Sequence, residues 1–363
     1  MRITLDGTPL LGRRTGIGTY VARLVEALPA AAARRGTGAR FDVMTWSVRG
    51  GRVRDLPPGV RQVGLPFPAR LLREAWARAD APPVELLVGR TSVVHGTNFV
   101  APPTWRAAEV VTVHDLAYET LPGTVTPDAA RYRVLVPRAL ARGAHVVTPS
   151  HATASAVRGH YGLTEERVTV TPLGVDERWF APATASHGVR PATHEYLLFV
   201  GTLDPRKNLP RLLAAHAELR RRSPRAPDLV LAGPAGRDEH VADAPGVVRA
   251  GWLEDDQLRA LVAGARALVL PSLDEGFGLP VLEAFATGRP VLAGDVPALR
   301  EVGAALATYA DPLERDALLS GLEEVLDAPD DAAARRARTD RARTFTWDAT
   351  ADATLDAYTR ATS

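Results

Sequence analysis

Two glutamates in the second half of the chain have a spacing and a context that suit ligand binding. Glu275 and Glu283 flank the start of a predicted helix, with seven residues between them. The loop before that helix carries Gly276 and Gly278, and glycine permits a close approach of backbone to ligand. Free N–H groups at a helix start attract an anion, and the helix dipole adds to this attraction. The pattern predicts an anion at the helix start and hydroxyl groups bound by the two carboxylates. The alternative is a capped helix with a solvated glutamate.

A second loop carries the only lysine of the chain. Lys207 follows Arg206 between the predicted strand Leu197–Gly201 and the predicted helix Leu209–Leu219, and every other Lys or Arg position is arginine. Arginine offers a planar fork of donors, whereas lysine offers a compact charge, and the two together suit a diphosphate. We therefore expect Arg206 and Lys207 to bind phosphate. The alternative is that the single lysine occurs in this loop by chance and has no functional role.

The length, composition and net charge of the chain limit the classes of protein to which it can belong. A chain of 363 residues is longer than one hydrophobic core usually serves, so two domains are expected. Its 46% apolar and 24% charged residues are typical of a globular protein. The absence of cysteine excludes a disulfide scaffold, a thiolate zinc site and a cysteine nucleophile. A net charge of +2 gives no electrostatic reason to expect nucleic acid. No apolar run approaches the roughly 20 residues that span a bilayer, and Asp6 interrupts any signal-peptide core, so a cytoplasmic protein is expected.

Short β-branched runs alternate with helical patterns along the chain, which predicts two tandem doubly wound α/β domains. The predicted strands are Arg2–Leu5, Phe41–Trp46, Ser92–His95, Val110–His114, Val146–Pro149, Leu197–Gly201, Leu229–Gly233, Val247–Ala250, Ala267–Pro271 and Pro290–Ala293. The pattern breaks near Asp176, and a Pro/Ala/Thr/Ser/His stretch to about Thr193 is interpreted as the connection. The predicted domains are 1–175 and 176–345, with a terminal helix in 346–363 that returns to the first domain. Ligands of such sheets bind beyond the carboxyl ends of the strands.

In their order along the chain, these segments resemble the signature regions of the retaining GT-B glycosyltransferases of family 4. The spacing of Glu275 and Glu283 and the Pro-Arg-Lys-Asn loop carry the resemblance. Supporting segments run through nearly the whole chain: Gly12–Gly18, Val113–Leu116, Pro149–Thr153, Leu173–Asp176 and Thr346–Asp348. The resemblance implies two Rossmann-like domains that face a central cleft, and it is closest to bacterial mannosyltransferases of polysaccharide or glycolipid assembly.

The resemblance also assigns roles to individual residues. It implies that Glu275 contacts hydroxyls of a donor sugar and that Glu283 contacts the ribose of the nucleotide. It also implies that His114 lies near the transferred sugar and contributes a hydrogen bond or its carbonyl rather than acting as a nucleophile. The implied diphosphate site consists of Arg206 and Lys207, the strand glycine Gly201, the backbone amides near Phe277, Gly278 and Leu279, and the first-domain glycine loop with Gly16 and Gly18. Many members have arginine directly after the strand glycine, where this chain has Thr202, so Arg206 is expected to cover that role.

The implied reaction moves a hexose from a nucleotide-diphosphate sugar to a hydroxyl of a glycan, a glycolipid or a small molecule, with retention. GDP-mannose is the leading donor, the first domain takes the acceptor and the second the donor, and no metal or other cofactor is expected. The acidic run Glu254–Asp256 precedes a helical pattern and is interpreted as a helix start rather than as a metal site.

Two other classes of protein and three local features stay open on sequence alone. The rivals are an NAD-dependent dehydrogenase, whose Gly-x-Gly-x-x-Gly motif is missing, and a non-catalytic two-lobed sugar-binding protein. His95 is interpreted either as lining the acceptor cleft or as a core histidine. The helical pattern 68–80 either packs on the core of the first domain or lines the acceptor groove, or it rests on a membrane surface through Trp76. Arg13 and Arg14 either touch an anion or lie in a solvated loop.

Overall fold

The computed structural model describes residues 1–47, 51–183, 186, 188–192, 195–237 and 244–363. Two compact units form within it. The first comprises Met1–Pro122, Thr126–Gly174 and Thr346–Ser363, and the second comprises Gly123–Val125 and Val175–Phe345. The predicted connecting stretch to about Thr193 lies partly outside the described residues.

The described residues of the first unit form a sheet of seven parallel strands. These are β1 (Arg2–Asp6), β2 (Arg40–Met44), β3 (Arg61–Val63), β4 (Val93–Gly96), β5 (Ala108–Thr112), β6 (His145–Thr148) and β7 (Val168–Val170). Their order in the sheet is β3-β2-β1-β4-β5-β6-β7. The order reverses between β1 and β4, and such a switch point leaves a crevice beyond the carboxyl ends of the two strands.

The second unit repeats this topology over its described residues. Its strands are β8 (Tyr196–Val200), β9 (Asp228–Ala232), β10 (Val247–Gly251), β11 (Ala267–Leu270), β12 (Val291–Gly294) and β13 (Thr308–Ala310), all parallel, in the order β10-β9-β8-β11-β12-β13. The switch point lies between β8 and β11. The loops that follow these two strands carry Lys207 and Glu275, respectively. The predicted doubly wound α/β class is therefore confirmed.

Helices connect the strands. They are α1 (Gly16–Arg34), α2 (Ala69–Arg78), α3 (Glu85–Val88), α4 (Ala117–Thr120), α5 (Tyr132–Ala141), α6 (His151–Tyr161), α7 (Leu209–Arg222), α8 (Asp255–Gly264), α9 (Leu279–Ala286), α10 (Pro297–Gly303), α11 (Arg315–Asp327), α12 (Ala332–Arg343) and α13 (Trp347–Thr362). Glu254 caps α8 together with Gln257, which confirms the helix-start interpretation of the acidic run. Over the described stretches, none of these helices has the length and apolar character needed to cross a membrane.

The last helix completes the core of the first unit. The Thr346 side chain caps α13 by accepting a hydrogen bond from the Ala349 N–H at 3.1 Å. Further along, the buried Tyr358 hydroxyl lies 2.8 Å from Nδ1 of His95, and Nε2 of His95 lies 2.7 Å from the Thr112 hydroxyl. His95 is fully buried with both ring nitrogens paired, so it is a core histidine, and the acceptor-cleft interpretation of this residue is wrong.

Helix α2 also packs into the first unit. Leu72 and Trp76 are each 1% exposed, and the Trp76 ring meets that of Trp46 edge-to-face at 5.4 Å between centroids. The indole N–H of Trp76 donates to the Pro82 carbonyl at 3.0 Å. Trp76 is therefore unavailable as a membrane anchor, and the packed-helix interpretation of this segment is confirmed.

Candidate functional site

The loop after β8 is fixed by a residue that the sequence analysis did not single out. Asn208 adopts the left-handed region with φ 61°, which ends the short turn Pro205–Lys207 and starts α7. Its side-chain amide donates to the carbonyl of Pro271 at 3.1 Å and to that of Pro312 at 2.6 Å. Because these bonds tie the β8 loop to the loop after β11, Arg206 and Lys207 have a fixed position beside the second loop.

Glu275 brings the two loops together through its carboxylate. Lys207 Nζ contacts Oε1, and the Ser272 hydroxyl donates to the same oxygen at 2.7 Å. Arg206 donates to Oε2 at 3.1 Å and also to the Asp274 carbonyl at 2.5 Å. The side chains of Arg206 and Lys207 remain 22% and 15% exposed, against 9% for Glu275. Two cations and one carboxylate thus leave a net positive cluster at the switch point of the second sheet.

Burial and charge act in opposite directions on Glu275. Burial alone raises the pKa of its carboxyl, but the charges of Lys207 and Arg206 and the bonds from Lys207 and Ser272 prevail, and they lower the pKa to about 2. Glu275 is therefore an anion throughout the neutral range. Such a carboxylate can accept hydrogen bonds from hydroxyl groups.

Gly201 leaves room for this arrangement at the end of β8. Its N–H donates to the Ala232 carbonyl at 2.9 Å. A Cβ atom at this position would lie 3.3 Å from Cζ of Phe199 and 3.5 Å from Cε of Lys207. The first distance is tighter than most contacts of a Cβ atom, whereas the second is an ordinary van der Waals contact. In this structure Gly201 leaves room for the Phe199 ring, and Lys207 packs beside it.

The start of α9 offers unused backbone donors. Gly278 is the N-cap with φ 110°, and a Cβ atom there would lie 2.6 Å from Cδ2 of Leu299, so glycine is required. Within the described residues, the N–H groups of Phe277, Gly278 and Leu279 donate no hydrogen bond. The Phe277 ring is buried against Phe345 at 5.8 Å, so only its backbone can serve a ligand. The helix start has the donors that an anion site needs.

Glu283 occupies a different environment from Glu275. It lies inside α9, partly buried, and its carboxylate has no hydrogen bond or ion pair among the described residues. Burial and the nearby charge of Asp255 raise the pKa of Glu283 to about 8, and Arg178 offsets only part of this because it pairs with Asp255 at 2.9 Å. The unpaired carboxyl group is free to bind a ligand hydroxyl.

This raised pKa predicts a pH-dependent effect of the substitution Glu283→Gln. Between about pH 4.5 and 8 the folded state holds a proton at Glu283 that the unfolded state has lost, so stability falls as the pH rises through this window. Glutamine does not ionise. We expect Glu283→Gln to gain stability relative to the original protein by a few kcal/mol between pH 5 and pH 8.5, since one pKa unit is worth about 1.4 kcal/mol. Urea unfolding at the two pH values measures the difference.

Glu218→Gln provides the control for that measurement. Hydrogen bonds from Arg221 and Arg222 lower the pKa of Glu218 to about 2, so this carboxyl does not titrate between pH 5 and 8.5. Its substitution should change stability equally at both pH values. A stability difference for Glu283→Gln that is also the same at pH 5 and pH 8.5 would contradict the raised pKa.

In the first unit, His114 follows β5 as a buried, neutral histidine. Its Nε2–H donates to the Thr97 carbonyl at 2.9 Å, so Nδ1 carries the lone pair. The rings of Tyr20 and Phe99 each meet it edge-on at 5.3 Å. Burial lowers the pKa of His114, and the Thr97 bond and the Asp115 charge offset only part of this effect. A neutral imidazole with a free acceptor nitrogen can accept a hydrogen bond from a hydroxyl group.

The glycine loop of the first unit connects β1 to α1. Gly16 is the first residue of α1, and a Cβ atom there would meet nothing within 4 Å. At Gly18 a Cβ atom would lie 2.9 Å from the Pro9 carbonyl oxygen, so this glycine lets the helix pack on its own loop. Gly16 is therefore open to a ligand, whereas Gly18 has a packing role in the structure.

Comparison with known proteins identifies the family to which this chain is related. The family model described as "Glycosyltransferase Family 4" matches residues 14–179, and that described as "Glycosyl transferases group 1" matches residues 194–327. O-antigen chain mannosyltransferase B of Escherichia coli is 30% identical over 304 residues, covering 79% of this chain and 77% of that protein. D-inositol 3-phosphate glycosyltransferase of Actinosynnema mirum is 30% identical over 404 residues, covering 97% and 94%.

The chain belongs to glycosyltransferase family 4.

Solved structures agree with this identification at the level of fold. Sucrose-phosphate synthase from Thermosynechococcus elongatus superposes with a TM-score of 0.75 at 20% identity, covering 99% of this glycosyltransferase and 98% of that chain. The two parallel-sheet units and this likeness establish the GT-B fold.

The structure of the glycosyltransferase brings some of the predicted residues together and separates others. Arg206, Lys207 and Glu275 form one cluster, beside the free amides at Gly278. Glu283 lies apart from that cluster, near the ion pair of Arg178 and Asp255. The sequence predicts whether each of these residues lies in a helix or in a loop. It does not predict the contacts that join Arg206, Lys207 and Glu275. Sequence reasoning included Asn208 in the Pro-Arg-Lys-Asn loop but gave it no role. Its signal is an asparagine directly before a helix, because asparagine adopts the left-handed conformation more often than most residues.

Proposed function

We propose that this glycosyltransferase moves mannose from GDP-mannose to a hydroxyl of a glycan, glycolipid or small-molecule acceptor, with retention of configuration. The observation that carries the proposal is the cluster of Arg206, Lys207 and Glu275 beside the free amides at the start of α9. The name of the E. coli relative, an O-antigen chain mannosyltransferase, supports mannose as the sugar.

The chemistry of the cluster suits departure of a nucleoside diphosphate. As the bond from the anomeric carbon to the diphosphate breaks, negative charge grows on the leaving group. Arg206, Lys207 and the N–H groups of Gly278 and Leu279 are fixed donors for that charge, and preorganised donors of this kind lower the barrier more than water does. In the proposal, Glu275 accepts hydrogen bonds from the donor sugar and Glu283 from the ribose.

His114 has a supporting part in the proposal. Its imidazole is neutral and its Nε2–H is already bound to Thr97, so it neither carries a positive charge nor offers a second proton. Nδ1 remains able to accept a hydrogen bond from a hydroxyl of the transferred sugar. We assign His114 this orienting bond and no covalent step.

The proposal includes catalysis without a metal ion. Because two cationic side chains and several amides face the leaving group, the chain itself supplies the charge that a divalent cation would otherwise provide. We expect transfer activity to persist in excess EDTA. Activity that disappears in EDTA and returns with magnesium would contradict this part of the proposal.

A donor panel tests the proposal directly. GDP-, UDP- and dTDP-linked sugars are incubated with the protein, with and without acceptor, and products are identified by mass. The proposal predicts sugar release or transfer from GDP-mannose, with GDP as the co-product. A thermal-shift scan separates the rivals: stabilisation by NAD but not by GDP or UDP favours a dehydrogenase, and tight binding of free sugar without nucleotide favours a sugar-binding protein.

A further inference from the structure

A small pocket lies at the switch point of the first sheet. Its volume is about 100 Å³, and Asp6, Arg73 and Asn98 supply its charged and amide groups, with Trp46 and Trp76 as apolar walls. Asp6 ends β1, and Asn98 follows β4 by two residues. Ligands of doubly wound sheets bind beyond the carboxyl ends of the strands on either side of the switch point. The pocket therefore lies where the first unit is expected to hold its own ligand.

Two polar groups of this pocket have unused hydrogen-bonding capacity. The side-chain oxygen of Asn98 is buried and has no hydrogen-bond partner in the described part of the chain. The guanidinium of Arg73, partly buried on α2, likewise forms no hydrogen bond or ion pair with any described residue. Buried polar groups of folded proteins nearly always have partners. The buried Asn98 oxygen therefore lacks a donor, and the partly exposed Arg73 guanidinium in the same pocket has donors that a ligand can use.

The position of Asn98 is imposed by its loop. Phe99 adopts the left-handed region with φ 60°, and its ring stacks on that of Tyr132 at 4.6 Å. A Cβ atom on Gly96 would lie 1.9 Å from the Val100 carbonyl oxygen, so the loop closes over a glycine that no other residue can replace. Backbone strain that persists in this way is held by its surroundings. The backbone of Asn98 is therefore held between two constrained residues, Gly96 and Phe99.

The charges of the pocket select the kind of ligand. The Asp6 side chain accepts from the N–H and the hydroxyl of Thr8 at 2.8 and 2.5 Å, which fixes it in place. Burial raises the pKa of Asp6, and the Thr8 bonds, the charge of Arg73 and a bond from Trp46 offset only part of this effect. An anionic ligand would lie against the Asp6 carboxylate and a cationic ligand against the Arg73 guanidinium, so either one would meet a like charge. A neutral group with hydroxyls avoids both, because each hydroxyl donates and accepts. The indoles of Trp46 and Trp76 suit the apolar edge of such a group.

We propose that this pocket binds a neutral sugar ring of the acceptor, through hydrogen bonds to Asp6, Arg73 and Asn98. The inference rests on the proposed function, since it names the acceptor class of the same enzyme. It separates two kinds of acceptor: a neutral sugar would meet no like charge in the pocket, whereas an inositol phosphate, which the name of the Actinosynnema mirum relative contains, would bring an anion to Asp6.

Saturation-transfer NMR on the full chain with GDP present tests the pocket without requiring turnover. The probes are methyl α-glycosides of mannose, glucose and galactose, with D-inositol 3-phosphate as the anionic probe. The variants are Arg73→Gln and Asn98→Ala, and the matched control is Arg70→Gln, which removes an exposed guanidinium from the same helix. We expect at least one neutral glycoside to give a signal with the original protein and with Arg70→Gln, and that signal to fall about 10-fold in both pocket variants.

Three outcomes would overturn the proposal: no signal from any neutral glycoside, equal signals in all four proteins, or displacement of the glycoside by inositol 3-phosphate at lower concentration. Thermal melting confirms that each variant is folded. Because two chemically different variants are used, the test still works if one of them fails to fold. Calorimetric binding of GDP, which depends on the second unit, is measured in parallel. Failure of GDP binding counts against the proposed function, whereas intact GDP binding with unchanged glycoside signals counts against the pocket alone.

Discussion

Replacing Lys207 with alanine should lower the turnover of this glycosyltransferase by at least about 100-fold, which is the scale of losing one preorganised contact to developing charge. Lys207 is the compact cation of the cluster and only 15% exposed, so water compensates poorly for its loss. Nucleotide affinity should fall as well, because the diphosphate carries charge before the reaction and after it. Steady-state kinetics with the active donor and calorimetry with GDP measure the two effects.

The control for Lys207→Ala is Arg225→Ala, which removes a cation from an exposed position of the same unit. That variant should keep its turnover and its affinity. Lys207→Arg should recover part of the activity, since a charge returns but the fork is bulkier than the ammonium group. Near-normal turnover of a folded Lys207→Ala protein would remove Lys207 from the site.

Replacing Glu275 with glutamine should also lower turnover by at least about 100-fold, but with a different signature. The carboxylate pairs with Lys207 and Arg206 in the structure, and its negative charge lies beside the proposed diphosphate. Removing that charge frees both cations for the anion. We therefore expect the affinity for GDP to stay the same or to increase while transfer collapses, because only the contact with the sugar is lost.

The control for this substitution is Glu218→Gln, a carboxylate that pairs with Arg221 and Arg222 on the surface of α7. It should change neither turnover nor GDP affinity. Circular dichroism of Glu275→Gln is needed beside the kinetics, since two cations lose their partner and unpaired charges destabilise a fold. A folded Glu275→Gln protein that binds GDP more weakly would show that Glu275 supports the nucleotide rather than the sugar.

The topology and the loops that carry the second-unit cluster could be predicted from the sequence, because the signals are local. The apolar run Ala267–Leu270 reads as a buried parallel strand, and Gly278 followed by Pro280 marks the start of α9. The strands β3, β7 and β13 were not predicted. Each has three residues, which is too short for a periodic pattern to stand out from a loop.

The contacts within the site could not be predicted, because they join residues far apart in the chain. Lys207 and Glu275 are 68 positions apart, and Asn208 reaches a carbonyl 104 positions away. Sequence spacing placed Glu275 and Glu283 on one short segment but gave no sign that their pKa values shift in opposite directions. That difference depends on which of them the cations of the β8 loop can reach.

The packing of α13 has a consequence for the order in which the protein forms during synthesis. Tyr358 fills the interior of the first unit and satisfies His95, and the Thr350 hydroxyl donates to the Pro172 carbonyl at 2.6 Å. These side chains leave the ribosome after the segment Val175–Phe345 has been made. Until α13 is made, Nδ1 of His95 therefore lacks its Tyr358 partner, whereas the second unit already has all of its residues. A truncated protein that ends at Thr346 should therefore resist protease in its second unit and be digested in its first.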